Sequence, residues 1–593
     1  MKNWYRILIL FLVSSSLLTF TAAAQQKNTD TERALVLKLA AYLKDSSYIK
    51  NTIRQIETEK KVEIQITGYQ KLHKQVQRML LLQSELKWLN MEAIRLAYED
   101  MKRIEGFDAV KYLPILTELE QQVKQGFGNI YSGDEAVLAN AEKAVANKRA
   151  ILLANPLLNG DKILTVRYQL GNRDRRAMAP ELGTQSNNWS NQESARRKGF
   201  NADIVELSNL RDEVQIRTIY KPDNTSSIAD LKLHWDGDRA MFTQTMSDNR
   251  WNVFEVKLNN GDCKKLIDNP EPDLEFYDGT YLPDGRIIAN SNIGYQGVPC
   301  VNGSDPVGNM VLYTPQSKNL RRLTFDQDAN WNPVIMNNGR VMYTRWEYTD
   351  LTHYYTRIVM NMNPDGTEQK ALYGSGSMFP NSTFDVQPLP GYASAFVGII
   401  SGHHGVARSG RLILFDPAKA RKGAAGMLQE IPHRNRPIVE EVKDRLVDGV
   451  WPQFIKPSPL NDTYFLVAAK LDKNDLWGIY LVDKFDNVTC LHKMEGEGYI
   501  SPIAVRKTVT PPAIPDRVKL DDKQATVFIQ DIYEGEGLKG IPRGTVKSLR
   551  LHAYEYAYVQ TQSDHNWHGI QSGWDIKRML GTVPVEEDGS VIF

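Results

Sequence analysis

The feature that most constrains this chain is a turn-and-strand phrase that returns through its middle. It reads Asp236-Gly237-Asp238-Arg239-Ala240-Met241-Phe242, then Asp284-Gly285-Arg286-Ile287-Ile288, then Asn338-Gly339-Arg340-Val341-Met342-Tyr343. The paired turn residues begin at 236, 284 and 338, at intervals of 48 and 54 residues. Asp-Gly and Asn-Gly accept the positive φ of a tight hairpin turn, and the residues behind them alternate as a strand does. Further strand-like runs interleave at 253–256, 310–313, 357–362, 411–416 and 478–483. Several lead through a polar turn into another strand, as at Lys264-Lys265-Leu266-Ile267 and Arg321-Arg322-Leu323-Thr324. A unit of roughly 45–55 residues holding about four strands has the size of a propeller blade. The spacing predicts a mainly β fold: a six- or seven-bladed β-propeller over 160–510, closed so that no sheet edge is exposed.

The flanks have other characters. Lys2 and Arg6, the apolar run from Ile7 to Leu18 and the small residues Ala22-Ala23-Ala24 predict an export signal over 1–24. That run is shorter than the roughly 20 residues a membrane span needs, so no transmembrane segment is expected after cleavage. The expected location is periplasmic or secreted. Over 27–155 the periodicity is helical: Leu35, Leu39, Tyr42 and Leu43, then Tyr69, Leu72, Val76, Met79 and Leu80, form apolar stripes. Pro114 and the glycines at 126, 128 and 133 are expected to separate helices, and Ser132 to cap one. From 516 to 593 strand-like runs at 525–529 and 548–554 predict a short β-rich segment. Its last turn, Glu587-Asp588-Gly589-Ser590, leaves only Val591-Ile592-Phe593 as a partner strand, so this segment is expected to be incomplete.

Charge and cysteine usage narrow the chemistry. The formal net charge of +1 gives no field that favours nucleic acid. Cys263, Cys300 and Cys490 are too far apart for a zinc knuckle or a redox pair, and no CxxCH is present, so no covalent haem is encoded. There is also no GxSxG elbow, phosphate loop, HExxH or DxDxDG. Asn363-Pro364-Asp365-Gly366-Thr367 reads as a β-turn.

Three constellations remain. His403-His404-Gly405 lies between two strands of the fifth expected blade, and neutral imidazole ligates zinc, copper or iron. Neighbouring residues on a strand face opposite ways, so both can bind one metal only from a loop. Arg345-Trp346-Glu347-Tyr348 follows the third repeat where a strand gives way to a loop. Arg345 and Glu347 can pair there, while Trp346 and Tyr348 can offer a stacking platform to a ligand. Cys300, in the turn-rich Gly297-Val298-Pro299-Cys300-Val301-Asn302-Gly303, is the cysteine best placed to act as a thiolate. His565-Asn566-Trp567-His568 suits a metal only if helical.

Six segments in order resemble the family related to the hydrazine synthase alpha subunit. They are Tyr281-Leu282-Pro283-Asp284-Gly285-Arg286, Gly297-Val298-Pro299-Cys300, Tyr343-Thr344-Arg345-Trp346-Glu347-Tyr348, Met362-Asn363-Pro364-Asp365-Gly366-Thr367, Ser401-Gly402-His403-His404-Gly405 and Gly581-Thr582-Val583-Pro584-Val585-Glu586-Glu587-Asp588-Gly589-Ser590. The resemblance spans about 148–593. It implies a propeller-like middle domain followed by a β-rich segment and a c-type haem domain, and a metal-ligand role for Cys300. No haem-attachment motif occurs before residue 593, so hydrazine synthesis is not expected to carry over.

The expectations follow. The chain is an exported propeller scaffold or binding module without a catalytic centre of its own, with a metal ion as its cofactor candidate at Cys300, His403 and His404. Arg345, Trp346, Glu347 and Tyr348 are its ligand-binding candidates, and a redox or envelope protein its candidate partner. The alternatives are part of a periplasmic haem- or metal-dependent oxidoreductase, and a carbohydrate-binding propeller.

Overall fold

The computed structural model describes residues 22–158, 160, 162–169, 188, 195–199, 201–223, 225–298, 305–326, 328–346, 355–405, 408–534, 537–555 and 576–593. The expected leader up to position 21, Cys300, Glu347, Tyr348 and the stretch 565–568 lie outside these residues. The chain divides into two compact units, one of residues up to Lys162 with 208–215 and 480–494, the other of 163–207, 216–479 and 495–593. Among the described residues no helix is long and apolar enough to cross a membrane.

Among its described residues the first unit holds six α-helices: α1 (Ala22–Ala40), α2 (Ser47–Glu57), α3 (Val62–Lys87), α4 (Met91–Met101), α5 (Ala109–Gln125) and α6 (Glu135–Leu152). Tyr69, Leu72, Val76 and Met79 are buried on α3, as their spacing predicts. On α1 and just beyond it the buried stripe departs from the expected one only in part: Leu43 is buried as expected and Leu39 partly so, but Val36 and Ala40 are buried where Leu35 is 40% exposed. Both stripes are apolar, so periodicity alone did not separate them; packing against α3 does. Two expectations are corrected. Pro114 lies inside α5 rather than between helices. The cap of α6 is Asp134, whose side chain accepts from the Ala136 and Val137 N–H groups, while the Ser132 hydroxyl accepts from Asp134 N–H.

The rest of the chain is mainly antiparallel sheet. β1 (Ile163–Gln169), β2 (Asn201–Ser208) and β3 (Gln215–Tyr220) form a sheet whose fourth member is the strand Glu497–Ala504, β24 in chain order, paired with β1. β4 (Ile228–Leu233), β5 (Arg239–Thr245), β6 (Trp251–Lys257) and β7 (Cys263–Lys265) follow in order in the next sheet. β8 (Phe276–Tyr281), β9 (Ile287–Ser291), β10 (Asn309–Thr314) and β11 (Asn319–Arg322) make another. β12 (Asn330–Ile335), β13 (Val341–Trp346), β14 (Arg357–Met362) and β15 (Lys370–Tyr373) are joined to β16 (Ser382–Pro388), β17 (Phe396–Ser401), β18 (Arg411–Phe415) and β19 (Met427–Ile431) by the single parallel pair Arg357 and Ser382. A last four-stranded sheet runs β20 (Gln453–Pro459), β21 (Tyr464–Lys470), β22 (Gly478–Asp483) and β23 (Val488–His492).

The repeat now has a structural meaning. Asp236-Gly237, Asp284-Gly285 and Asn338-Gly339 turn the chain between β4 and β5, β8 and β9, and β12 and β13, with the glycines at φ 73°, 84° and 83°. The interleaved runs supply β6, β10, β14, β18 and β22, the third strand in each successive run of four from β4 to β23.

One irregularity recurs on β4, β8, β12, β16, β20 and β24. The register slips between Ala229 and Lys232, Tyr277 and Thr280, Trp331 and Val334, Phe384 and Gln387, Ile455 and Ser458, and, on β24, opposite Leu164 and Val166. At each slip one residue that is not glycine holds a positive φ: Asp230 (53°), Asp278 (51°), Asn332 (53°), Asp385 (51°), Lys456 (51°) and Ser501 (55°). Such a conformation costs about 1–2 kcal/mol and persists only where its surroundings compel it. Here the side chains of successive bulges hold one another. The Asn332 N–H donates to Asp278 Oδ2 at 2.6 Å, Asp385 N–H to Asn332 Oδ1 at 3.3 Å, and Lys456 N–H to Asp385 Oδ2 at 3.4 Å. Lys456 Nζ lies 2.9 Å from Asp385 and 3.5 Å from Asp230, and Lys232 Nζ 3.2 Å from Asp278.

After β24 the chain runs as a strap over the hairpin turns. Thr508 N–H donates to Trp235 O at 2.8 Å, and Asp516 pairs through both oxygens with Arg286 at 2.7 and 2.9 Å. Asp365, in the β14–β15 turn, accepts the N–H groups of Arg517 and Val518 at 2.5 and 2.9 Å. Asn363 to Thr367 is therefore the expected turn and also a latch for the strap. Beyond it, 525–529 is not a strand and pairs with none among the described residues, and Val527 and Phe528 are exposed. β25 (Ser548–Glu555) and β26 (Ile576–Pro584) pair as a two-stranded hairpin, and Ile592 and Phe593 are exposed.

Candidate functional site

The site gathers where β13 ends, β14 begins, and the loop after β17 folds back. His403 and His404 lie in that loop, which satisfies the one condition under which neighbouring histidines can face a common ion. Their rings stand 4.3 Å apart, edge to face. Two glycines make this possible. A Cβ at Gly402 would come within 2.5 Å of Asp444 O, and one at Gly405, φ 91°, within 2.2 Å of Asp448 Oδ1. With hydrogens there instead, the loop sits directly on segment 444–448.

Asp444 holds both histidines. Its carbonyl accepts from the His403 and His404 N–H groups at 2.7 and 3.2 Å. Its carboxylate Oδ1 lies 2.7 Å from His404 Nδ1 and also accepts the His404 N–H at 3.2 Å. One ligand atom from each of His403, His404 and Asp444 lies within 4.8 Å of the others. Two imidazoles and a carboxylate are a donor set for zinc or a similar borderline divalent cation.

The wall behind His403 is aromatic and cationic. Arg357, completely buried, lies 4.3 Å over the Trp346 ring, and its Nη1 sits 2.8 Å from His403 Nδ1. The ring centroids of Trp346 and Tyr355 are each 5.7 Å from that of His403. Burial first, then the Arg357 charge and His404, push the His403 imidazole down to about 2, so it is neutral at physiological pH.

The sequence candidates fare unevenly. His403 and His404 are brought together. Trp346 is 2% exposed, walled in by Trp331, Arg357 and His403, so it offers no open face for a ligand to stack on. That corrects the expectation of an exposed platform. Arg345 reaches Asp326 at 3.3 Å. Cys300, Glu347 and Tyr348 fall outside the described residues. Sequence reasoning missed Asp444, 40 positions from His404 and in no motif, and Arg357, which read only as the start of a strand.

A second group, His234, Asp236 and Asp238, also places ligand atoms within 4.8 Å. There the Arg239 guanidinium lies 2.7 Å from both His234 Nε2 and Asp238 Oδ1, so the positive charge is already supplied by the protein.

Four-stranded sheets with a shared bulge, preceded by helices, define a mainly β chain of propeller-like type. Residues 544–593 match the family described as hydrazine synthase alpha subunit middle domain. The fold is shared with hydrazine synthase of Kuenenia stuttgartiensis at 12% identity and a TM-score of 0.52, over 73% of this chain and 63% of that one. The family likeness is confined to residues 544–593, and the chain spans less than two thirds of the solved hydrazine synthase chain whose fold it shares. TolB of Acinetobacter baumannii aligns at 11% identity and a TM-score of 0.36, over 61% of this chain and 73% of TolB. No curated protein matches the sequence.

Proposed function

We propose that the chain is an exported propeller module that binds a divalent transition-metal ion at His403, His404 and Asp444 and presents it to a redox or envelope partner. The observation that carries this reading is the convergence of one ligand atom from each of these three residues within 4.8 Å. The pairing of β24 with β1, and the same bulge on six strands, support a closed propeller of six blades over about 160–510. The helical region at 27–155 and a β-rich segment at 516–593 are its attachments. Lys2, Arg6, the apolar run and Ala22-Ala23-Ala24 support export to the periplasm or beyond. The match at 544–593 favours a second reading, in which this chain is the metal-holding part of a larger oxidoreductase.

Cobalt(II) titration of the purified protein tests the site. Visible d–d bands that saturate at one equivalent are expected, weakened at least tenfold in His404→Ala and Asp444→Ala. No saturable band in the wild type would refute the metal reading. The absorption spectrum of protein purified from its native source separates the two functional readings: haem or metal bands on a larger assembly favour the second.

A further inference from the structure

We propose that Arg408 is the positioning residue of the His403–His404–Asp444 site and that the cluster of bulge residues is its anchor. The proposal rests on the reading of that site given above. The described residues 402–405 and 408–410 form two limbs, each tied. The first limb hangs from Asp444 by the two histidine N–H groups. On the second, Ser409 O accepts the Ser401 hydroxyl at 2.9 Å, and Gly410 pairs with Phe454 through both backbone groups. The buried Asn188 side chain joins the limbs, donating to Gly402 O at 2.7 Å and accepting the Arg408 N–H at 2.5 Å.

From this frame the Arg408 side chain points into the bulge cluster. It is 4% exposed, with its guanidinium carbon 5.4 Å from the Trp331 ring centroid and 5.5 Å from that of Phe384, the residues just before the bulges at Asn332 and Asp385. Burial works most strongly against its charge, and Asp385, Asp230 and Asp278, in that order, are the carboxylates that favour it. Three buried carboxylates thus stand against Lys232, Lys456 and Arg408. A buried carboxylate without its cation is costly, so the cluster holds Arg408 firmly. Five residues back along the loop is His403. The strained bulges on separate strands therefore fix where the two imidazoles stand, through one arginine.

Two measurements test this on the full chain: hydrogen exchange of the 401–410 peptide, and cobalt(II) affinity, each beside a thermal melt. Arg408→Met keeps the side-chain length without the charge. Exchange in 401–410 is expected to rise at least tenfold while β17 and β18 stay protected, and cobalt affinity to fall at least tenfold. Arg408→Lys keeps the charge but lacks a planar fork to lie along two rings, and is expected between the two. Unchanged exchange at 401–410 in both variants overturns the proposal. If Arg408→Met does not fold, unchanged exchange in Arg408→Lys alone overturns it. If the wild type binds no cobalt yet exchange rises as stated, the metal reading falls and the anchor stands.

Discussion

Arg357 Nη1 lies 2.8 Å from His403 Nδ1, and this pairing decides which nitrogen His403 can offer to a ligand. Guanidinium only donates, so Nδ1 accepts and the neutral ring carries its proton on Nε2. A metal ion binds the neutral ring either at Nδ1 or at Nε2 with the ring proton moved to Nδ1, and in both cases the Arg357 hydrogen bond to Nδ1 is lost. Arg357→Met, which keeps a long stem against Trp346 and removes the charge, is therefore expected to tighten cobalt or zinc binding about tenfold, roughly 1.4 kcal/mol. Calorimetric titration of the two proteins measures it, and weaker binding in the variant would contradict the competition.

Acid and base act on the turn between β22 and β23 through Asp483. Burial pushes its carboxyl up to about 7, against the hydrogen bonds it accepts from Asn487 and Phe485. The folded state thus binds a proton that the unfolded chain has released above its ordinary value of 3.8. The stabilisation from this group is full below pH 3.8 and is lost as pH rises through about 7. Asp483→Asn should remove that part of the slope, so the difference in melting temperature between variant and wild type is expected to move in the variant's favour from pH 5 to pH 8. A constant difference would place the titration elsewhere.

The strap has a latch at Asp365, 1% exposed, which accepts two N–H groups from Arg517 and Val518. Asp365→Ala leaves both without that acceptor, a loss of about 1–3 kcal/mol. Limited trypsin digestion should then cut after Arg517 or Lys519 before any other site. Asp516→Asn, at an exposed ion pair with Arg286, should cost no more than about 1 kcal/mol and leave the digestion pattern close to wild type.

Two glycines of the repeat separate backbone strain from contact. At Gly285, φ 84°, an added Cβ meets nothing within 4 Å, whereas at Gly339, φ 83°, it would come within 2.1 Å of Pro512 O. Gly285→Ala is expected to cost about 1 kcal/mol from backbone conformation alone. Gly339→Ala should cost more and should also speed hydrogen exchange over 505–518. Equal effects of the two substitutions on that exchange would show that the strap does not press on the turn.

The repeat made the sheet order legible because Asp-Gly and Asn-Gly fix a turn chemically, whatever surrounds them. The same signal weakens after β13: the β16–β17 turn uses Pro390-Gly391 and the β20–β21 turn Asn461-Asp462, so periodicity had to be carried by the third strands. His403 and His404 were legible as a rare pair among ten histidines. Asp444, Arg357 and Arg408 were not, because their roles come from backbone contacts and charge pairing across 40 or more positions, or from a bulge that no residue type announces. Trp346 was misplaced for a related reason: an aromatic after a strand reads the same whether neighbouring residues cover it or solvent does.

The repeated arginines show what the strap does to the symmetry of the sequence. Arg239 turns inward to His234 and its own turn carboxylates, Arg286 grips Asp516, and Arg340 holds Asn361, Asn363 and Glu368. Three copies of one phrase thus make three different sets of contacts, and one of them, Arg286 with Asp516, grips the strap directly. Exchanging whole repeats between positions would preserve every hairpin and still misdirect the strap, so duplication alone cannot lengthen or shuffle this chain without rewriting the residues that cross it.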